Sequence, residues 1–117
     1  MKEHLSGQAS PTERTMAYLR AAGFTVVKVE HRDRSGITHD FAGFADLIAF
    51  KAERPIIAVQ ATTTAHLSDR ERKIRAEPRA KEWLATGRAA IWLVGWEKVA
   101  WGKRTRYEVT VRDLLAL

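Results

Sequence analysis

Apolar positions along the chain follow two periods, and the change from one to the other marks its elements. Met16, Leu19 and Ala22 recur at spacings of three, the repeat of a helix with one buried stripe. Ser10-Pro11-Thr12-Glu13, just ahead of them, carries start signals. The serine can cap, the proline suits a first turn, and the glutamate three residues on can close a capping box. Gly23 ends the segment. From Phe24, "FTVVKVE" is rich in β-branched residues and predicts a strand. "HRDRSGITH", residues 31–39, is polar and contains glycine, so it reads as a loop or hairpin tip. "ADLIAF" and "PIIAVQAT" predict two more strands. The four residues Lys51-Ala52-Glu53-Arg54 between them are a hairpin-length connection, which makes the two strands antiparallel neighbours. Their near-continuous apolar character suits a central sheet covered on both faces.

The period then lengthens again. Ser68-Asp69-Arg70-Glu71 is a second capping-box pattern and leads through Lys73 and Ile74 into helix. Pro78 kinks or restarts that helix, "RAKEWLAT" continues it, and Gly87 stops it. "AAIWLVGW", residues 89–96, is a strand, and "TRYEVTV" is another, with Tyr107, Val109 and Val111 alternating against Arg106, Glu108 and Thr110. The predicted order is α-β-β-β-α-β-β, an α/β protein with a mixed central sheet and helices packed on it.

Composition narrows the classes. A chain of 117 residues implies one domain over residues 1–117, and 45% hydrophobic residues with four Trp can build a core. There is no cysteine, which excludes disulfides, zinc-thiolate sites and thiol catalysis. "MKEHLSGQAS" lacks an apolar signal core and no apolar run approaches the roughly 18 residues of a membrane span, so the expectation is a cytoplasmic protein without membrane contact. The net charge of +6 favours an acidic partner, with nucleic acid the commonest kind.

Two polar residues interrupt the apolar strands, Asp46 and Gln60. Side chains of a strand alternate faces, so Gln60 and Thr62 share one side while Ala61 offers its carbonyl between them. Asp46 comes from the neighbouring strand. Such pairing can bring a carboxylate, an amide oxygen and a carbonyl within reach of one hard cation, Mg2+ or Mn2+.

In strand order and in "ERTMAYLRAAGFTVVKV" and "GFADLIAF...IIAVQAT", residues 10–96 resemble the PD-(D/E)XK nuclease superfamily, particularly archaeal-type Holliday-junction resolvases and related phage proteins. The resemblance implies a restriction-endonuclease-like α-β-β-β-α-β core, here with one extra C-terminal strand. It also implies a metal-dependent DNA endonuclease acting on branched DNA, and a two-fold dimer. It would make Glu13 the helical metal-site acid and Asp46 the strand ligand, with Gln60 in the place of the family's glutamate and Thr62 in that of its lysine. Mg2+ or Mn2+ would then be held by Asp46, Gln60, the Ala61 carbonyl and Glu13. The two replacements are departures. An amide keeps an oxygen but removes a negative charge, and a hydroxyl cannot substitute for an ammonium. Lys73, early in the next helix, is the candidate for a relocated lysine, and Arg70 for a phosphate clamp.

Plainer roles stand beside these. Glu13 is explained by its capping box alone and Gln60 by satisfying backbone groups; Asp40, ahead of "FAGFAD", is a candidate second ligand, with a turn role leading. Arg32 and Arg34 are placed for DNA-backbone contacts or as solvated charge. His31, His39 and His66 show no zinc spacing. Trp83, Trp92 and Trp96 read first as core and second as a dimer interface. Two other functions remain open: a catalytically inactive nuclease-fold protein that binds DNA or protein, and a small adaptor whose basic face meets an acidic protein.

Overall fold

The structure, a computed structural model, describes residues 8–115. The first seven residues of the predicted leader-free N-terminus, and the last two of the predicted domain, lie outside them. Helix α1 (Pro11–Ala21) starts as its sequence predicts, because the Ser10 hydroxyl accepts from the Glu13 N–H and Pro11 opens the first turn. At its other end Gly23 adopts φ +93°. The Gly23 and Phe24 amides then donate to the carbonyls of Arg20 and Leu19, closing the helix in a Schellman motif. Lys51 adds an ammonium on the Ala22 carbonyl at 2.9 Å.

Strand β1 (Thr25–Lys28) leads to a small hairpin of β2 (His31–Arg32) and β3 (Thr38–His39), then to β4 (Leu47–Phe50) and β5 (Ile56–Thr63). Helices α2 (Leu67–Ala76) and α3 (Pro78–Ala85) cross over to β6 (Ala89–Trp101), and β7 (Arg104–Asp113) returns beside it. The five long strands form one sheet in the order β1-β4-β5-β6-β7. Only β5 and β6 run parallel; β1–β4, β4–β5 and β6–β7 are antiparallel. The mixed α/β architecture and the β4–β5 hairpin are therefore as expected from the apolar pattern.

Each face of the sheet carries its own core. On one, Leu19 of α1 meets Val26, Leu47, Ile57, Val59 and Val94, with Trp92 and Trp96 packed alongside. Trp92 sits edge-on to Phe24 and Trp96 edge-on to Tyr18, and the Trp96 indole N–H donates to the buried Thr15 hydroxyl at 2.9 Å. On the other face Phe44, Ala58, Ile91 and Leu93 meet Leu67 and Ile74 of α2 and Ala80 of α3, with Trp83 against them. Pro78 restarts the helix as its first residue and Gly87 ends it at φ +81°.

Two expectations are corrected. Ser68 caps nothing: a 3-10 turn at Thr64–His66 leaves β5, and α2 begins at Leu67 with no side-chain cap. Burial decides this, because Leu67 must seat over Gly95, where a methyl group would stand 2.7 Å from it. Likewise β6 does not stop at residue 96 but continues to Trp101, because Gly102 at φ +60° makes a tight reversal into β7. Among the described residues, no helix is long and apolar enough to cross a membrane.

Candidate metal centre

Pairing alone brings the acidic residues together. Since Lys28 lies opposite Leu47, the chain just after β1 and the chain just before β4 pass at the same end of the sheet. The amides of Val29 and Glu30 both donate to the Asp46 carbonyl, at 2.9 and 3.2 Å. The Asp46 amide in turn donates to the Val59 carbonyl at 2.8 Å, which sets Asp46 beside Gln60. Between β3 and β4 the chain folds back on itself. Phe41 and Ala45 pair across a turn in which Gly43 has φ +78°, and this returns Asp40 over the strand ends. The left-handed backbone at Gly43 favours glycine there, and a side chain would also displace the ends of Arg79 and Glu77.

The result is a cleft of about 500 Å³ floored by Glu30, Asp40, Asp46, Gln60 and Ala61. Thr12 of α1, Thr38 and His39 of β3, and Arg70 of α2 form its walls. Carboxylate oxygens of Glu30, Asp40 and Asp46 all lie within 4.8 Å of one another. Asp46 is 6% exposed and Gln60 4%. The Asp46 Oδ2 accepts from the Ala61 N–H at 2.8 Å, and the Gln60 amide donates to Asp40 Oδ2 at 3.0 Å.

Burial pushes the Asp46 carboxyl up to about 8; the Ala61 N–H opposes this, and the neighbouring carboxylates of Asp40 and Glu30 add to it. At neutral pH the group therefore keeps its proton unless another positive charge takes the proton's place. Three oxygen donors at this spacing fit a hard octahedral dication, whose opposite ligands stand about 4.2 Å apart at bonds of about 2.1 Å. By charge and donor type, the residues present fit Mg2+ or Mn2+.

The expected site is thus partly assembled and partly redistributed. Asp46, Gln60 and Ala61 converge, and Arg70 stands at the wall. Glu13 does not take part: it is exposed and bonded to the Ser10 hydroxyl, while Thr12 faces the cleft instead. Thr62 is 7% exposed and lies opposite Gly95, away from the cleft lining. Lys73 points out on α2, paired with Asp69 at 3.3 Å. Arg32 and Arg34 are exposed on the β2–β3 hairpin and outside the lining.

Of the two remaining acids only Glu30 is hidden in the sequence; Asp40 stands there as a second-ligand candidate behind its turn role. Glu30 closes the strand-like "FTVVKVE" and looks like any charged strand end. Asp40 does serve a turn, its carbonyl accepting from the Gly43 amide at 3.3 Å, but its carboxylate belongs to the cleft. The histidines are less scattered than they look in sequence: His31 and His39 stack, and His39 Nε2 lies 2.7 Å from Asp33 Oδ2. Asp33 also accepts from the Ser35 hydroxyl and the Ser35 and Ile37 amides. The Ser35 hydroxyl and His39 lower its carboxyl most, to about 2. No protein-family model, curated protein or solved structure matches this chain.

Proposed function

We propose that this protein is a metal-dependent phosphodiesterase acting on DNA, built on a PD-(D/E)XK-like frame. The observation that carries the reading is the convergence of Glu30, Asp40 and Asp46 within 4.8 Å at the floor of an open cleft. The order of strands around Asp46, and the net charge of +6, support it. In this reading Glu30, Asp40 and Asp46 hold Mg2+ or Mn2+. The bound ion supplies a Lewis acid and an acidified water for attack on phosphorus. Around it the chain's own groups have separate tasks. The Ala61 N–H fixes the Asp46 carboxylate, and Gln60 holds Asp40 in place through its amide. Arg70, the one guanidinium or ammonium among the described residues lining the cleft, draws the scissile phosphate in and stabilises charge on its oxygens. Hydrolysis consumes one water, breaks one P–O bond and leaves the water's proton to be passed on to solvent or to the departing oxygen.

Among the described residues no lysine lines the cleft, and this favours a second reading, a DNA-binding protein that has lost cleavage. Incubation of purified protein with supercoiled plasmid and with synthetic four-way junctions, in Mg2+ or Mn2+, separates the two. Cleavage by wild type that disappears in Asp46→Ala and Asp40→Asn is the expected result. Binding without cleavage at any metal concentration supports the second reading, and equal cleavage by wild type and Asp46→Ala removes the assigned centre.

A further inference from the structure

The last part of β6 and the first part of β7 leave the sheet. The final β5–β6 pair is Thr63 with Trp96, and from Glu97 onward β6 pairs with β7 alone. Five residues, Glu97 to Trp101, thus extend a two-stranded ribbon roughly 16 Å past the end of β5 at about 3.3 Å per residue. Its base is anchored, since the Arg14 guanidinium of α1 lies 3.4 Å from the centroid of the Tyr107 ring. Its tip is bare. Residues 98–106 carry Lys98, Lys103, Arg104 and Arg106 and no acidic side chain. Lys98, Lys103 and Arg104 have no carboxylate partner among the described residues.

The tip also has internal order. Trp101 lies directly across from Arg104, and Val99 from Arg106, so these four side chains share one face of the ribbon. Trp101 is 57% exposed, and the Arg106 guanidinium lies 3.6 Å from its ring centroid. A tryptophan left in solvent is poorly explained by folding alone; here it lies against a guanidinium whose Nη2 also reaches Glu108 Oε1 at 3.4 Å. Because β5 and β6 are parallel, the ribbon departs from the end of the sheet at which Gln60 and Ala61 open into the cleft.

We infer that the β6–β7 ribbon is a DNA-gripping arm, with Lys103, Arg104 and Arg106 on backbone phosphates and Trp101 orienting Arg106. This rests on the nucleic-acid part of the reading above and extends it to a second contact beside the metal centre. The partner is a polyphosphate duplex, for which charge complementarity and a two-stranded ribbon, narrow enough for the major groove, both argue.

Duplex binding measured in EDTA over a range of salt tests the arm without engaging the carboxylates. Lys103→Ala/Arg104→Ala/Arg106→Ala should bind about 10- to 100-fold more weakly, with the slope of log affinity on log salt reduced by about 2–3, near 0.9 per lost contact. Trp101→Ala, which removes no charge, should weaken binding several-fold and leave the slope unchanged. Arg54→Ala/Lys81→Ala/Arg88→Ala, an equal charge change away from the arm, is the control and should bind nearly as wild type. Melting curves confirm that each variant folds. The inference is overturned if the arm variant keeps wild-type affinity and slope, or loses no more than the control. It is also overturned if polyglutamate displaces the duplex as well as unlabelled DNA does. Failure of cleavage with arm-dependent binding intact would remove the phosphodiesterase and leave the arm standing.

Discussion

Asp46→Asn should stabilise the metal-free protein at alkaline pH, although it removes the central acid of the site. The carboxyl ordinarily titrates at 3.8 and is held up to about 8 in the fold, chiefly by burial. Below pH 4 the folded and unfolded chains are both protonated at this position and it costs nothing. As pH rises the unfolded chain ionises first, so stability is lost continuously until the folded group also ionises near pH 8. At about 1.36 kcal/mol per unit, linkage makes this loss roughly 3–4 kcal/mol between pH 5 and pH 8, a large part of the 5–15 kcal/mol typical of a domain. Asparagine does not titrate, its oxygen can still accept from the Ala61 N–H, and its NH2 can replace the proton that faces Asp40.

The assay is thermal melting of both proteins in EDTA at each pH from 5 to 8. At about 4 °C per kcal/mol for a chain of this size, the difference in Tm should move by about 10–15 °C in favour of the variant across that range. Added Mg2+ or Mn2+ should close most of the gap at high pH, since binding only the ionised native site stabilises by about 2.7 kcal/mol at 100 times Kd. A Tm difference that stays constant from pH 5 to pH 8 would refute the reasoning, because Asp46 would then carry no buried proton.

Thr15→Val keeps the side chain's shape but strands the Trp96 indole N–H, and should cost about 1–3 kcal/mol in urea unfolding. Gly95→Ala places a methyl 2.7 Å from Leu67 and should destabilise by about 1–3 kcal/mol, with Leu67→Ala in the same chain restoring part of the loss. Asp33 runs opposite in sign to Asp46. Its lowered carboxyl supports the β2–β3 hairpin above pH 4 and loses that support as pH falls towards 2, which an NMR titration of the Asp33 carboxyl and the Ile37 amide should record together.

Much of the frame is legible in local chemistry. Ser10, Pro11 and Gly23 bound α1 because capping and left-handed backbone are decided within a few residues. Pro78 and Gly87 bound α3 for the same reason. The alternation and turn signals give five strands and the β4–β5 hairpin, which by themselves set Asp46 and Gln60 on neighbouring strands. What local chemistry does not carry is the partner of each element. Glu30 and Asp40 become members of one acidic cluster only when β1 pairs with β4, between residues up to 25 apart such as Thr25 and Phe50, and the 41–45 turn folds back. Leu67 rather than Ser68 begins α2 because a buried side chain over Gly95 outweighs a cap worth about 1 kcal/mol. Likewise Glu13 is spent on its own helix while Thr12, one position away, reaches the cleft. The sequence alone determined α1, α3, the existence of the five long strands and the placing of Asp46 and Gln60 on neighbouring strands, because those depend on neighbours along the chain. Tertiary structure decided which acids meet, because electrostatic crowding and burial arise only between segments that the fold has already brought together.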